Sequence, residues 1–401
     1  MSLHDVVSAE RLHIGFFGMR NAGKSSLVNA VTGQQLAVVS DVKGTTTDPV
    51  RKAMELLPLG PVVIIDTPGL DDEGELGLLR VKKAKEVLAK TDIAVLVVDA
   101  TVGLSELDKD LVASFKSRKV PYVIVYNKAD LLPERTDLGK NACYASALTF
   151  EGIHELKETL GKFAQQKKNP KLIVSDLLEP GDVVVLVVPI DESAPKGRLI
   201  LPQQLTIRDI LDHHAIAITC QDTELKATLA SLAKKPKLVI TDSQAFAQVS
   251  SDTPEDIPLT SFSILMARYK GDLKTLAEGA AALARLKDGD KVLISEGCTH
   301  HRQCNDIGTV KMPHWIESFS GAKPQYVFTS GGEFPDDLTE YTLVVHCGGC
   351  MLNEAEMKHR IEKANAAGIP IVNYGLAIAQ IHGILKRSVA PFPQIAKLLE
   401  N

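Results

Sequence analysis

Residues 12–25 read Leu-His-Ile-Gly-Phe-Phe-Gly-Met-Arg-Asn-Ala-Gly-Lys-Ser, and this stretch decides the fold of the first third of the chain. Residues 14–17 form an apolar run of buried-strand character, and residues 26–31 continue with the periodicity of an apolar helix. Between them, Gly18, Gly23, Lys24 and Ser25 stand at Gly-x-x-x-x-Gly-Lys-Ser spacing. With a strand before it and a helix after it, this is the phosphate-binding loop in its meaningful context. The two glycines let backbone N–H groups of the loop, through Asn21, Ala22 and Ser26, wrap a row of phosphates. Lys24 neutralises the β- and γ-phosphates, and the Ser25 hydroxyl is a ligand for Mg²⁺.

Four more motifs follow the phosphate loop. Asp66-Thr67-Pro68-Gly69 closes a strand, with Asp66 expected to hold Mg²⁺ through water and the Gly69 N–H expected to sense the γ-phosphate. Gly44-Thr45-Thr46-Thr47 lies between, where a switch loop must bring a threonine hydroxyl to Mg²⁺; Thr47 is the first choice and Thr46 the second. Asn127-Lys128-Ala129-Asp130 follows another apolar strand, and Ser146-Ala147-Leu148 completes the base pocket. A carboxylate at Asp130 accepts from guanine N1–H and N2–H₂ together, whereas adenine would leave it unpaired, so GTP is the expected nucleotide. Apolar strands at 12–17, 62–66, 93–99 and 122–126 alternate with helical stretches such as 78–90 and 107–118. That alternation predicts a doubly wound α/β domain over residues 1–170, with 165–170 as a linker.

These motifs resemble the GTPases of the tRNA-modification and Era-like (TrmE/Era) group, whose phosphate loop has the style Gly-x-Pro-Asn-Ala-Gly-Lys-Ser. Residue 70 is Leu where Ras-like enzymes carry a water-orienting Gln. The resemblance implies that Asn21 helps to hold a K⁺ ion in place of an arginine finger. Lys24, Asn21, Thr47 and Gly69 are then the residues expected around the reacting phosphate. Asp71, Asp72, Glu73 and Glu75 follow in the second switch, and any of them can be read as orienting water.

Downstream the chemistry changes. Residues 171–268 mix strands (183–188, 215–219, 238–241) with short helices and carry no chemistry-bearing motif; His213-His214 reads as a solvated helix terminus. A small α/β assembly domain is the expectation there. In residues 269–401, strands at 291–295, 326–329, 341–345 and 370–372 run into Cys298, Gly331-Gly332, His346-Cys347 and Asn373-Tyr374-Gly375. A parallel sheet brings such loops to one edge. There Cys298-Thr299-His300 meets His346-Cys347-Gly348-Gly349-Cys350, three thiols and two imidazoles around one site. Zinc is served by four closed ligands such as Cys298, His300, Cys347 and Cys350. A [4Fe–4S] cluster on three thiolates leaves one iron for a histidine or an exchangeable ligand. The residues alone leave both metals open. Cys304, six residues after Cys298, reads first as a core thiol and second as a substitute ligand.

A GTPase of this type, followed by Cys-x-His and then His-Cys-x-x-Cys, resembles the [FeFe]-hydrogenase maturation GTPases, the HydF-type scaffold maturases. The resemblance runs along the whole chain. It implies a GTPase domain (1–170), a dimerisation domain (171–268) and a parallel-sheet α/β iron–sulfur cluster-binding domain (269–401). It further implies a [4Fe–4S] cluster on Cys298, Cys347 and Cys350, with His300 or His346 near the open iron. The same resemblance implies a transient [2Fe] subcluster precursor as cargo, radical-SAM maturases and apo-[FeFe]-hydrogenase as partners, and a homodimer. With a net charge of −5 and no dense Lys/Arg run, the chain is not expected to bind nucleic acid. Its apolar runs are far short of a membrane span, and no secretory signal is evident, so a cytoplasmic protein is expected. The competing reading is an Era-like RNA- or ribosome-associated GTPase with a structural zinc site.

Overall fold

The computed structural model describes residues 9–34, 49–70, 74–167, 171–190, 199–297 and 306–399. The chain divides into two compact units at the 170/171 junction.

The first unit is built on a six-stranded sheet ordered β2-β3-β1-β4-β5-β6, made of β1 (Leu12–Phe17), β2 (Val50–Leu56), β3 (Gly60–Asp66), β4 (Ile93–Asp99), β5 (Tyr122–Asn127) and β6 (Ala142–Tyr144). All neighbours pair in parallel except β2 with β3. Strand residues alternate between two buried faces. Ile14, Phe16, Val62, Ile64, Val95 and Val97 pack beneath α1 (Lys24–Thr32) and α4 (Ile153–Lys167). On the opposite face Phe17, Val63, Ile65, Leu96 and Val98 join the side chains of α2 (Gly74–Ala89) and α3 (Glu106–Ser117). Helix α3 begins in a capping box: Ser105 Oγ accepts from the Asp108 N–H at 3.1 Å, and Asp108 accepts from the Ser105 N–H at 3.0 Å. The antiparallel strand β2 escapes the sequence reading because it is an edge strand with mostly exposed, polar positions. The stretch read as a linker is in part helix, since α4 continues through Gln165 and Gln166 to Lys167; residues 168–170 lie outside the described residues.

The second unit holds two four-stranded parallel sheets. One is ordered β10-β9-β7-β8, from β7 (Val183–Val187), β8 (Ile216–Cys220), β9 (Leu238–Thr241) and β10 (Leu259–Ser261). The other is ordered β12-β11-β13-β14, from β11 (Lys291–Glu296), β12 (Gln325–Ser330), β13 (Leu343–His346) and β14 (Ile371–Asn373). Both follow one plan, with the second strand outside the first and the third and fourth on its other side. Helix α5 (Leu201–Asp212) precedes β8, and His213 caps its end with Nδ1 2.9 Å from the Asp209 carbonyl oxygen. Helix α8 (Phe262–Lys270) follows β10 directly; between β8 and α8 lie the short helices α6 (Leu225–Ser231) and α7 (Phe246–Asp252). The 268/269 boundary drawn from the sequence falls inside α8. A single buried core runs through both sheets, from Val184 and Ile240 through Leu265 and Met266 to Ile294 and Val345.

Candidate functional site

The phosphate loop leaves β1 with Gly18 at φ 139° and reaches α1 through Gly23 at φ 84°. A Cβ on Gly18 would lie 2.1 Å from the Val97 carbonyl oxygen, and one on Gly23 would lie 2.3 Å from Asn127 Nδ2. Both positions therefore require glycine for space as well as for backbone angle. Asn21 takes φ 61° with its side chain exposed, a left-handed turn that Asn tolerates. Ala22 is buried, and Ser26 is half-buried in the first turn of α1.

Lys24 is buried, and its Nζ donates to the carbonyl oxygens of Gly18 at 3.0 Å and Met19 at 2.8 Å. Burial pushes it down to about 8, against the opposing fields of Asp66 and Asp108. An incoming phosphate restores the charged form, so nucleotide binding should take up a proton where free Lys24 is neutral. Calorimetry in buffers of different ionisation enthalpy should show uptake of most of a proton at about pH 9 and almost none at about pH 6. No difference between the two conditions would remove Lys24 from phosphate contact.

Ser25 Oγ donates to Asp66 Oδ2 at 2.7 Å. The other oxygen of Asp66 is buried without a hydrogen-bond partner, and burial holds this carboxyl above the usual carboxylate range. A hydroxyl and an orphaned carboxylate oxygen together form a hard-donor pair that suits Mg²⁺. Thr46 and Thr47, the expected switch ligands, lie outside the described residues, as do Asp71, Asp72 and Glu73. Beyond Asp66, the chain folds back on the phosphate loop: the Leu70 N–H donates to Gly18 O at 3.2 Å and the Arg20 N–H to Leu70 O at 3.0 Å. Gly69 lies so close to Arg20 that a Cβ would come within 2.8 Å of its Cα. The Leu70 side chain is buried in the core, so the position that holds a water-orienting Gln in Ras-like enzymes points away from the phosphates.

The base loop is locked to the phosphate loop by Asn127. Its Nδ2 donates to Ala22 O at 3.0 Å, and its Oδ1 accepts from the Ala147 N–H at 3.1 Å. Lys128, at φ 64°, reaches Asp99 Oδ2 at 2.5 Å. Ser146 is buried and its Oγ accepts from the Thr149 N–H at 3.1 Å. Asp130 stands exposed on the turn after β5, open to a base.

In the second unit, β11 and β13 are neighbours with Ser295 opposite His346. The chain moves to β12 on one side of β11 and returns to β13 on the other, so their carboxyl ends form the switch point where ligands of open α/β sheets bind. Cys347 follows β13 directly. Its Sγ accepts from the Gly297 N–H at 3.0 Å and the Gly349 N–H at 3.4 Å, which suits a thiolate ligand. Burial nevertheless pushes the free thiol up to about 11. Cys350 is raised by burial too, and Lys270 opposes that shift. Cys298, His300 and Cys304 lie outside the described residues. Among the described residues, no three His, Cys, Asp or Glu side chains are grouped to hold a metal.

His346 requires a correction. It is fully buried, its Nδ1 is 2.8 Å from the Cys347 carbonyl oxygen, and its Nε2 is 3.0 Å from Arg360 Nη1. Burial, then the Arg360 field, push it down to about 3, so it is neutral. With both nitrogens engaged, His346 orients the loop rather than offering a ligand. Arg360, on α9 (Glu354–Ala366), also bonds Glu356 at 2.6 Å, Gly331 O at 2.8 Å and Ser295 Oγ at 3.2 Å. The sequence reading missed this network because an i, i+4 Glu–Arg pair ordinarily marks a solvated helix face.

The fold and these residues define a P-loop GTPase domain joined to an α/β unit that presents a cysteine loop. Residues 13–128 match the 50S ribosome-binding GTPase family, 172–271 the hydrogen maturase F dimerization domain, and 274–391 the hydrogen maturase F tetramerization domain. The chain belongs to the HydF-type hydrogen maturases, with a TrmE/Era-like GTPase domain. The tRNA modification GTPase MnmE of Dechloromonas aromatica is 34% identical over 158 residues, covering 38% of this chain and 35% of that protein. GTPase Der of Kosmotoga olearia is 34% identical over 131 residues, covering 31% and 29%. The chain thus spans about a third of the length of these curated relatives. Aquifex aeolicus Era bound to GDP·AlF₄⁻ is 20% identical with a TM-score of 0.35, covering 52% of this chain and 91% of that one. No helix among the described residues is long and apolar enough to cross a membrane.

Proposed function

We propose that this chain is a GTP-hydrolysing scaffold for hydrogenase maturation. Residues 1–170 bind and hydrolyse GTP, residues 171–268 pair two copies, and residues 269–401 hold a [4Fe–4S] cluster. Cys298, Cys347 and Cys350 would hold that cluster, with His300 beside it, and the cluster supplies an iron with an open coordination position. The substrate carried there is a diiron subcluster precursor, received from radical-SAM maturases and passed to apo-[FeFe]-hydrogenase in the cytoplasm. The observation that carries the reading is the Cys347 sulfur at the β11/β13 switch point, accepting two backbone N–H groups. The MnmE and Der relatives match only 38% and 31% of this chain, so an RNA-directed role is not carried over.

The test is anaerobic purification with iron, sulfide, zinc and the visible spectrum measured on one sample. Close to four irons and four sulfides per chain are expected for a [4Fe–4S] cluster. A colourless protein with one zinc and no iron sinks the scaffold reading.

In the nucleotide domain, Ser25 and Asp66 would hold Mg²⁺, and Lys24 holds the β- and γ-phosphates. Thr47 from the first switch would complete the Mg²⁺ ligands, and the Gly69 N–H would sense the γ-phosphate. Because the buried Leu70 cannot orient water, another group must stabilise the transition state, and Asn21 in the phosphate loop would do so by helping to hold K⁺. Hydrolysis should be at least about tenfold faster in KCl than in NaCl at equal ionic strength, as expected when a developing charge loses its counter-ion. Equal rates in the two salts would remove Asn21 from this role.

A further inference from the structure

The loop that follows β13 rests on a lysine from another element. Lys270, the last residue of α8, is 2% exposed. Its Nζ donates to the carbonyl oxygens of Cys350 at 3.3 Å and Leu352 at 3.0 Å. Leu352 in turn packs on the residue before Cys298: a Cβ on Gly297 would lie 2.7 Å from Leu352 Cγ. One ammonium group therefore fixes the backbone on the far side of Cys-x-x-Cys. Arg360 grips the near side through His346.

We propose that Lys270 is a positioning residue of the cysteine site, pinning the Cys350–Leu352 backbone and placing a positive charge under a thiolate-ligated cluster. The inference rests on the cluster-binding reading above. Three thiolates give such a cluster net negative charge, and reduction adds to it. A buried cation close by favours the reduced form and raises the reduction potential, since net charge and hydrogen bonding around the sulfurs set that potential.

The experiment uses the full chain, reconstituted anaerobically with iron and sulfide. Iron content is measured, and the reduced cluster is titrated against potential by electron paramagnetic resonance. Lys270→Gln keeps a donor for a carbonyl oxygen and loses the charge; Lys270→Arg keeps the charge. At the wild-type midpoint, Lys270→Gln should show a reduced-to-oxidised ratio about tenfold lower, a fall of about 59 mV for one electron, and Lys270→Arg should stay within about threefold of wild type. Iron content and the melting temperature of the metal-free protein should hardly change in either variant. Wild-type potential in a loaded Lys270→Gln protein overturns the proposal, as does an equal shift in both variants. A Lys270→Gln protein that does not fold also overturns it, by assigning Lys270 to the core. Wild-type protein that takes up no cluster is a different failure, and it falls on the scaffold reading itself.

Discussion

Cys347→Ser should purify without iron and without a visible chromophore while hydrolysing GTP as the unaltered protein does. Both halves follow from the structure. The Cys347 sulfur is the acceptor for Gly297 and Gly349 N–H groups at 3.0 and 3.4 Å, and a serine oxygen is both shorter in reach and a hard donor that serves iron–sulfur chemistry poorly. Iron content should fall by about tenfold or more, in line with loss of an essential ligand. The nucleotide site belongs to a separate compact unit ending at residue 170. GTP turnover should accordingly stay within about twofold, because independently built sites make additive contributions. Retained iron would remove Cys347 from the cluster. Parallel loss of both activities would mean that the two units do not work as separable parts.

Asp130→Asn should exchange one base for another. The carboxylate stands exposed at the turn after β5, while Asn127 is spent on Ala22 and Ala147 and Lys128 on Asp99. Asp130 alone is therefore left to accept from guanine N1–H and N2–H₂. The amide faces those two donors with a donor of its own, and GTP affinity should drop on the order of 10³-fold or more. Xanthine presents a carbonyl where guanine has its amino group, so xanthosine triphosphate should bind the variant better than GTP does. Competition binding with a fluorescent nucleotide reads both numbers. A variant that keeps its preference for GTP would move base recognition to another residue.

Much of this was legible in the sequence because the decisive groups are local. Phosphate loop, Asp66 strand end and Asn127–Asp130 turn are each a contiguous run following an apolar strand, so spacing alone placed them. The convergence of the β11 and β13 loops was legible too, since parallel strands must deliver their loops to one edge. The contributions of Leu70, His346 and Lys270 were not. Each depends on which way a side chain points across a distance in sequence: Leu70 into the core, His346 onto Arg360, Lys270 onto a loop 80 residues downstream. His346 misled for a specific reason. A histidine beside Cys-x-x-Cys has the composition of a ligand, and only the burial of Arg360 against its Nε2 shows the ring to be occupied. The strands β2, β6 and β10 were missed because the first is polar and exposed at an edge and the other two are three residues long.

The shared interior of the second unit has a geometric consequence. Helix α8 starts at the end of β10 and finishes under Cys350, and one buried apolar core takes in side chains of both the β7–β10 sheet and the β11–β14 sheet. Among the described residues, α8 and the shared core join the two sheets directly. If two chains pair through residues 171–268 as proposed, that contact would also set the spacing of their two Cys347 loops. The distance between two bound clusters would then be a property of the assembled pair.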